Sequence, residues 1–251
     1  MDLETRHLQQ LLNAVPQPPE VILLKPITTS TNDDVREIAK KGIQYVLVCS
    51  EEQTHGRGQR EHQWVSPVGN IYLSTLLNLQ TVIDGRLALE IALNILQMPS
   101  LQDLNLQVKW PNDLYSSQGK WGGILIEPIS THQVIVGVGM NLYPIPQSGI
   151  EQRATSLSEL GMAEPNRLQL IAELYAAIQL AGKWFNHNCY NLAARFNHYA
   201  AFMQQAVELE HLHGTSQGSF LGINNDGSIN IQTPQGIEHH LQGRLRPTDN
   251  Q

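Results

Sequence analysis

Several short segments carry residue types that could do chemistry. In Glu52-Gln53-Thr54-His55-Gly56-Arg57-Gly58-Gln59-Arg60, two glycines alternate with basic and amide residues. Glycine lets a backbone approach a ligand closely and adopt positive φ. Successive N–H groups can then cradle an anion, with Arg57 and Arg60 adding charge and forked hydrogen bonds. A bare Gly-Arg-Gly is more often a solvated loop, but this one follows an apolar strand directly, where ligand sites of α/β proteins gather. A second segment, Lys109-Trp110-Pro111-Asn112-Asp113, closes an apolar strand with a cation, a rigid turn and an acid. Lys109 can bring one positive charge to a carboxylate or phosphate. Asp113 either pairs with that lysine or helps hold Mg²⁺ through water, and an ordinary capped turn explains the spacing equally well. Ser30-Thr31-Asn32 precedes a helix. Capping is its ordinary role, and binding a polar, uncharged head group is the sharper one.

Glycine also interrupts two strands, at Gly119-Lys120-Trp121-Gly122-Gly123 and Gly137-Val138-Gly139-Met140-Asn141. Glycine weakens a strand, so a close ligand or a neighbouring backbone is a reasonable cause. Asn141 either reads a base edge through its amide or sits in a tight turn. Other features argue against other chemistries. His211-x-His213 and His239-His240 lack a third ligand at a supporting spacing and read as solvated strand histidines. No Gly-x-Ser-x-Gly elbow and no Gly-x-x-x-x-Gly-Lys-Ser/Thr loop is present, which weakens a hydrolase reading and excludes a P-loop site.

The elements that hold these segments follow from periodicity. Short strands are expected at Val21–Leu24, Tyr45–Cys49, Asn70–Leu77 and Gln107–Trp110, with a strand pair at Gly123–Glu127 and Gln133–Gly139. Helical spacing covers 33–41, 86–98, 167–186 and 189–203, with Gly42 a natural stop for the first. Residues 51–63 hold almost no hydrophobic side chain and read as a loop, mobile until a ligand orders it; 144–155 also read as a loop. After Met203 four short strands, 207–212, 219–223, 228–232 and 237–241, are separated by Asn-Asp-Gly and Thr-Pro-Gln-Gly turns. They predict a small β-barrel module. The expected division is therefore an N-terminal extension at 1–20 (a short helix, then a Pro-rich link), a main domain at 21–203 and a β module at 204–251.

The chain has 251 residues and a net charge of −7, an acidic balance that argues against a broad face for duplex DNA. At 41% hydrophobic it is too apolar for disorder. No apolar run approaches the ~18 residues of a membrane span, and no secretory signal stands at the start. Cys49 and Cys189 form no CxxC, which favours reduced thiols and a cytoplasmic protein.

Together the segments resemble biotin protein ligases. The resemblance rests on Ser30-Thr31-Asn32, Gln53 to Arg60, Trp64-Val65-Ser66-Pro67, Lys109 to Leu114, Gly119 to Leu125 and Gly137 to Asn141, and extends over about residues 21–247. Each motif alone is weak, but the Gly-Arg-Gly loop with Lys-Trp-Pro-Asn-Asp downstream is specific. The resemblance implies an α+β fold, a mixed or antiparallel sheet flanked by helices like a class II synthetase core, with a small C-terminal SH3-like barrel. It implies that biotin and ATP, carried with Mg²⁺, give biotinyl-5′-AMP, and that a lysine of the biotin carboxyl carrier protein of acetyl-CoA carboxylase then takes the biotin.

By the same resemblance Lys109, Arg57 and Arg60 are the catalytic group. Ser30, Thr31, Asn32, Gln53, Arg57, Gly58, Gln59, Lys109, Trp64, Gly122 and Gly123 are implied biotin contacts. Gly56, Arg57, Gly58, Asn112, Asn141 and Arg246 are the implied nucleotide contacts, with Asp113 near any Mg²⁺. Gln59 and Glu61 depart from the family, which frequently has arginine and glycine there, and Arg60 is expected to take over the phosphate contact. Twenty residues before the main domain are too few for a DNA-binding helical domain, so the enzyme-only class is expected; the sequence leaves monomer and homodimer both open, and the resemblance makes a homodimer plausible. The competing readings are a lipoate protein ligase, a biotin-responsive repressor and a catalytically silent SH3-like interaction protein.

Overall fold

Apolar residues at every second position decide which side of a strand faces which layer. The computed structural model describes residues 2–147 and 152–248. Seven strands form its main sheet: β1 (Val21–Lys25), β2 (Val46–Ser50), β3 (Ile71–Asn78), β4 (Gln107–Lys109), β5 (Asp113–Ser116), β6 (Gly119–Pro128) and β7 (Gln133–Met140). Their order is β1-β2-β3-β7-β6-β5-β4. β1 and β2 run parallel, and the remaining neighbours are antiparallel. The helices are α1 (Leu3–Leu12), α2 (Thr31–Ala39), α3 (Arg86–Leu96), α4 (Arg167–Asn186) and α5 (Leu192–Tyr199).

Leu47, Cys49, Leu73, Val134, Val136 and Val138 share one core with buried side chains of α1, α3 and α4. The intervening Val46, Val48, Leu76 and Ile135 meet Val35 of α2 in a second, smaller cluster. The sheet is therefore apolar on both faces, as a covered sheet must be. Further along β7 that second face loses its side chains at Gly137 and Gly139. The space they leave is where the site forms.

Five further strands make an antiparallel module: β8 (Ala206–His211), β9 (Gly214–Ile223), β10 (Ile229–Thr233), β11 (Gly236–His240) and β12 (Arg244–Pro247). Their order is β11-β10-β9-β8-β12. Val207, Leu209, Phe220, Ile229, Ile231 and Leu245 join the main core. The Trp110 indole donates to the Gly227 carbonyl at 3.0 Å, so the Lys109–Asp113 turn is anchored to this module.

Four expectations change. Residues 113–116 form β5 where only a turn is expected. The last helix begins at Leu192 rather than Cys189, because Asn188, Cys189 and Asn191 take positive φ and interrupt it. The β module has a fifth strand, β12, and its second strand starts at Gly214. Residues 1–20 are no appendage: Leu8 and Leu12 of α1 are fully buried, and the Tyr175 hydroxyl of α4 donates to the Gln17 carbonyl at 2.8 Å. The expected loop at 144–155 includes residues 148–151, which lie outside the described residues.

Glu90 in α3 is completely buried and takes a forked pair from Arg195 of α5 at 2.8 and 2.7 Å. Removing one partner of such a pair leaves a bare buried charge. Arg195→Ala is expected to cost roughly 3–5 kcal/mol, because it strands the fully buried Glu90 carboxylate; Glu90→Gln should cost less, because the Arg195 guanidinium it strands is 27% exposed. Urea unfolding of the two variants gives the ranking, and equal costs would contradict it.

Candidate active site

The first turn of α2 is built unlike an ordinary capped turn. Ser30 occupies the N-cap but makes no side-chain capping bond. The Gln53 amide oxygen instead accepts the Thr31 N–H at 2.9 Å, from a loop 22 residues away. The Gln53 Nε2 donates to Ser66 at 3.2 Å, which fixes the amide. The Thr31 hydroxyl lies 2.7 Å from that of Ser74 on β3, and Ser74 donates to Asn32 Oδ1 at 2.5 Å. The Nδ2 of Asn32 is buried without a partner. A buried donor left unpaired is costly, so this network is complete only with an acceptor in the cavity.

Trp64 lies over the two glycine-interrupted strands. A Cβ on Gly139 would stand 2.5 Å from the indole nitrogen, and one on Gly123 would stand 3.0 Å from the ring. A Cβ on Gly137 would press on the Asn32 amide, 3.1 Å from its Cγ. These glycines are there for close approach. The Trp64 indole N–H is also buried and unpaired. The result is a slot with an aromatic wall, and with hydroxyls and amides at one end.

At the other end stands one carboxylate between two lysines. Asp113 Oδ1 lies 2.5 Å from Lys120 Nζ, and Oδ2 accepts from Lys109 Nζ at 3.2 Å. Lys109 also donates to Gln152 Oε1 at 2.6 Å, and Gln152 donates to Asp113 at 3.2 Å. Lys120 projects over the Trp64 ring, 5.1 Å from its centre. Burial opposes charge on both partners, but the outcomes differ. Burial would raise the Asp113 carboxyl, and the Lys120 and Lys109 ammoniums outweigh it, so it lies below its ordinary range. Burial lowers the Lys109 ammonium, and Asp113 only partly opposes this. Among the described residues one carboxylate faces both lysines. Such a centre attracts a further anion.

The glycine loop arches over this slot. The Gly58 N–H donates to the His62 carbonyl at 2.7 Å, and Trp64 N–H donates to the Gly56 carbonyl at 2.9 Å. Arg60 is exposed at a left-handed φ of 55°. Arg57 forks onto Asp33 of α2 at 2.8 and 2.7 Å and reaches Glu127 of β6 at 3.4 Å. Hydrogen bonding to Asp33 raises the Arg57 guanidinium above its ordinary value.

The residues singled out in the sequence meet at one cavity of about 300 Å³, with three exceptions. Gly56 is buried beneath the loop, where a Cβ would strike Ser66 and the Trp64 carbonyl at 2.5 Å. Gly122 faces Leu114 and the Gly139 carbonyl and serves backbone packing. Arg246 is exposed outside the cavity, and Arg244, two residues earlier on β12, lines it instead. Of the two roles open to Asp113, the lysine pairing is the one seen here. Sequence reasoning missed Lys120, Gln152 and Arg244 as site residues. A lone lysine in a glycine-rich strand was the available signal for Lys120, and Gln152 carried none. Asn141 is 1% exposed, with Nδ2 bonded to the Thr155 carbonyl at 3.0 Å and Oδ1 unpaired.

Residues 24–141 match the Biotin/lipoate A/B protein ligase family. The chain is 33% identical to the bifunctional ligase/repressor BirA of Escherichia coli, over 89% of this chain and 73% of that protein. It is 30% identical to the biotin--[acetyl-CoA-carboxylase] ligase of Paracoccus denitrificans, over 83% and 93% respectively. Among solved structures, the biotin protein ligase from Aquifex aeolicus in complex with biotin and ATP superposes with a TM-score of 0.78. It is 26% identical, over 91% of this chain and 100% of that one.

Asp113→Asn would leave Lys109 buried with no carboxylate. This variant should be less stable at neutral pH by roughly 3 kcal/mol. Its deficit should shrink as pH rises toward the free-lysine value of about 10.4, because the unfolded chain then holds a proton that the folded chain has shed. In the parent, the Asp113 contribution is present above about 3.9 and lost as pH falls through its lowered folded value. Urea unfolding at stepped pH reads both signs; a deficit that does not change on the alkaline side would assign it to another cause.

Proposed function

The chain belongs to the biotin/lipoate A/B protein ligase family, and on that premise we propose that in its site the biotin carboxylate attacks the α-phosphate of ATP to give biotinyl-5′-AMP, with pyrophosphate leaving, and that the biotin is then transferred to a lysine of a biotin carboxyl carrier protein. The observation that carries this reading is the Lys109–Asp113–Lys120 centre at the open end of the Trp64 slot. A carboxylate attacking a polyphosphate brings two anions together, and fixed positive charge must offset the repulsion. Two lysines sharing one carboxylate hold such charge in place before the substrates arrive.

In this reading the ureido ring of biotin enters the polar end. Its carbonyl accepts from the unpaired Asn32 Nδ2, and the Ser30, Thr31 and Gln53 groups meet its N–H edge. The bicycle and chain lie on Gly123 and Gly139 beneath Trp64. This brings the carboxylate to Lys120, with Lys109 behind it, so Lys120 joins Lys109 as the cation that bridges carboxylate and α-phosphate. Asn141 offers its unpaired Oδ1 to the exocyclic amine of adenine, while Asn112 and Arg244 flank the nucleotide side. Mg²⁺ arriving with ATP adds charge neutralisation on the triphosphate. The Gly58–Arg60 segment closes over the adenylate and shields the anhydride from water. In the second step the carrier lysine amine attacks the anhydride carbonyl. A C–N bond forms, AMP leaves with the C–O electron pair, and the amine loses a proton.

The partner we assign is the carboxyl carrier of acetyl-CoA carboxylase, with residues 21–203 as the catalytic unit and 204–251 as an SH3-like module. We place the enzyme in the cytoplasm. Both cysteines are free and buried, as a reducing compartment favours, and no helix among the described residues is long and apolar enough to cross a membrane.

The deciding experiment is biotin-dependent ATP–pyrophosphate exchange, followed by label transfer to a carrier domain, with lipoate as the competing acid. Lys120→Ala and Lys109→Ala should each lower exchange by roughly 100- to 1,000-fold with the fold retained, the scale of losing one fixed electrostatic contact. Exchange within a few-fold of the parent in Lys120→Ala would remove it from the centre. Exchange with lipoate and none with biotin would replace the substrate.

Arg60→Ala should release biotinyl-5′-AMP and label bystander proteins, while the parent should not. The neutral amide of Gln59 forms hydrogen bonds typically about half as strong as a charged donor's, which leaves Arg60 to hold the phosphate. Equal bystander labelling by parent and variant would make Arg60 a solvated loop charge.

A further inference from the structure

Far from Lys109 in the sequence, the β module gathers three metal-ligating side chains that the ligase chemistry does not use. His211 closes β8, and Glu238 and His240 stand two apart on β11, so they point to the same side of that strand. One ligand atom from each lies within 4.8 Å of the others. The two imidazole rings sit 4.1 Å apart at their centres, tilted by 31°. Sequence spacing hides this, because β8 and β11 are not neighbours in the sheet; its curl brings them together. All three side chains are partly buried.

The groups already share polar contacts. His240 Nε2 lies 3.1 Å from Glu238 Oε2. His211 Nε2 lies 3.1 Å from the Ser216 hydroxyl, which donates to the same carboxylate. The His213 backbone N–H donates to His211 Nδ1 at 3.3 Å, which orients that ring. His211 is lowered from its ordinary value by burial and by the facing His240, with Glu238 opposing and His213 adding to the effect.

We propose that His211, Glu238 and His240 bind a divalent transition metal ion of the Zn²⁺ type, which ties the edge strand β11 to β8. Two imidazoles and one carboxylate are a common ligand set for Zn²⁺. Bonds of about 2.1 Å in a tetrahedron put ligand atoms about 3.4 Å apart, and the three here already lie within 4.8 Å of one another. The fourth position would be taken by water. β11 pairs with β10 only, so it gains a second attachment that no backbone ladder provides.

The test uses the full-length protein without a histidine tag, stripped by chelator, and Zn²⁺ alone as the probe. Calorimetric titration should show one tight Zn²⁺ per chain. His211→Ala and His240→Ala should each weaken it by roughly 100-fold or more, with Glu238→Gln also weaker and His213→Ala unchanged. Cobalt(II) in place of zinc should give the strong visible absorption of a tetrahedral site in the parent and lose it in His240→Ala. Affinity should fall on acidification, since protons compete for the ligands. The absence of saturable binding in the parent, or binding that survives in the His211→Ala/His240→Ala double variant, would overturn the proposal. Circular dichroism of each variant confirms that a lost site is not a lost fold.

Discussion

A single carboxylate buried between two lysines sets the terms for the rest of this molecule. Asp113 is 8% exposed and Lys109 6%, so neither charge is well solvated. Ionised side chains at such depth persist only when paired. Among the described residues, two cations share this one anion. The arrangement depends on β4, β5 and β6 lying side by side, because Lys109, Asp113 and Lys120 come one from each. It also depends on the C-terminal module, which the Trp110–Gly227 hydrogen bond anchors to the turn between Lys109 and Asp113.

The slot beside this centre is made by leaving side chains out. On one face of β2, β3 and β7, branched and aliphatic residues fill a continuous core. On the opposite face the same strands begin with valine, leucine and isoleucine under α2 and end in Ser74, Gly137 and Gly139. Strand glycines weaken a sheet locally, and central strands, held by neighbours on both sides, tolerate them best. β7 lies between β3 and β6, so its ladder survives the loss. The indole of Trp64 and the amide of Asn32 then approach to distances that any Cβ would forbid.

The loop that carries Arg57 shows how a mobile-looking stretch is held. Residues 51–63 contain almost no apolar anchor, and the forked pair with Asp33 substitutes for one. That pair is partly exposed on both sides, so it stabilises the loop only modestly. The same loop supplies Gln53, which caps α2 in place of Ser30. One loop thus holds both the Arg57 pair and the cap at the polar end of the slot.

Much of this was legible in the sequence. The alternating strands, the long helix from Arg167 to Asn186, the change of character after Met203 and the glycine-interrupted strands were written in periodicity. The resemblance, carried by several ordered motifs, implied one site for Lys109, Asn141, Trp64 and the Gly-Arg-Gly loop; the residues' spacing alone left their ordinary readings open. What the sequence could not decide was pairing at a distance. Asp113 as partner of Lys120, Gln152 as partner of Lys109, Arg244 rather than Arg246 at the cavity, and His211 beside His240 all depend on strand register and sheet curl. A shift of register by one residue turns every side chain to the other face. Local pattern fixes which residues alternate along a strand. Only the packed sheet fixes which strands meet, and so which charges must share a partner.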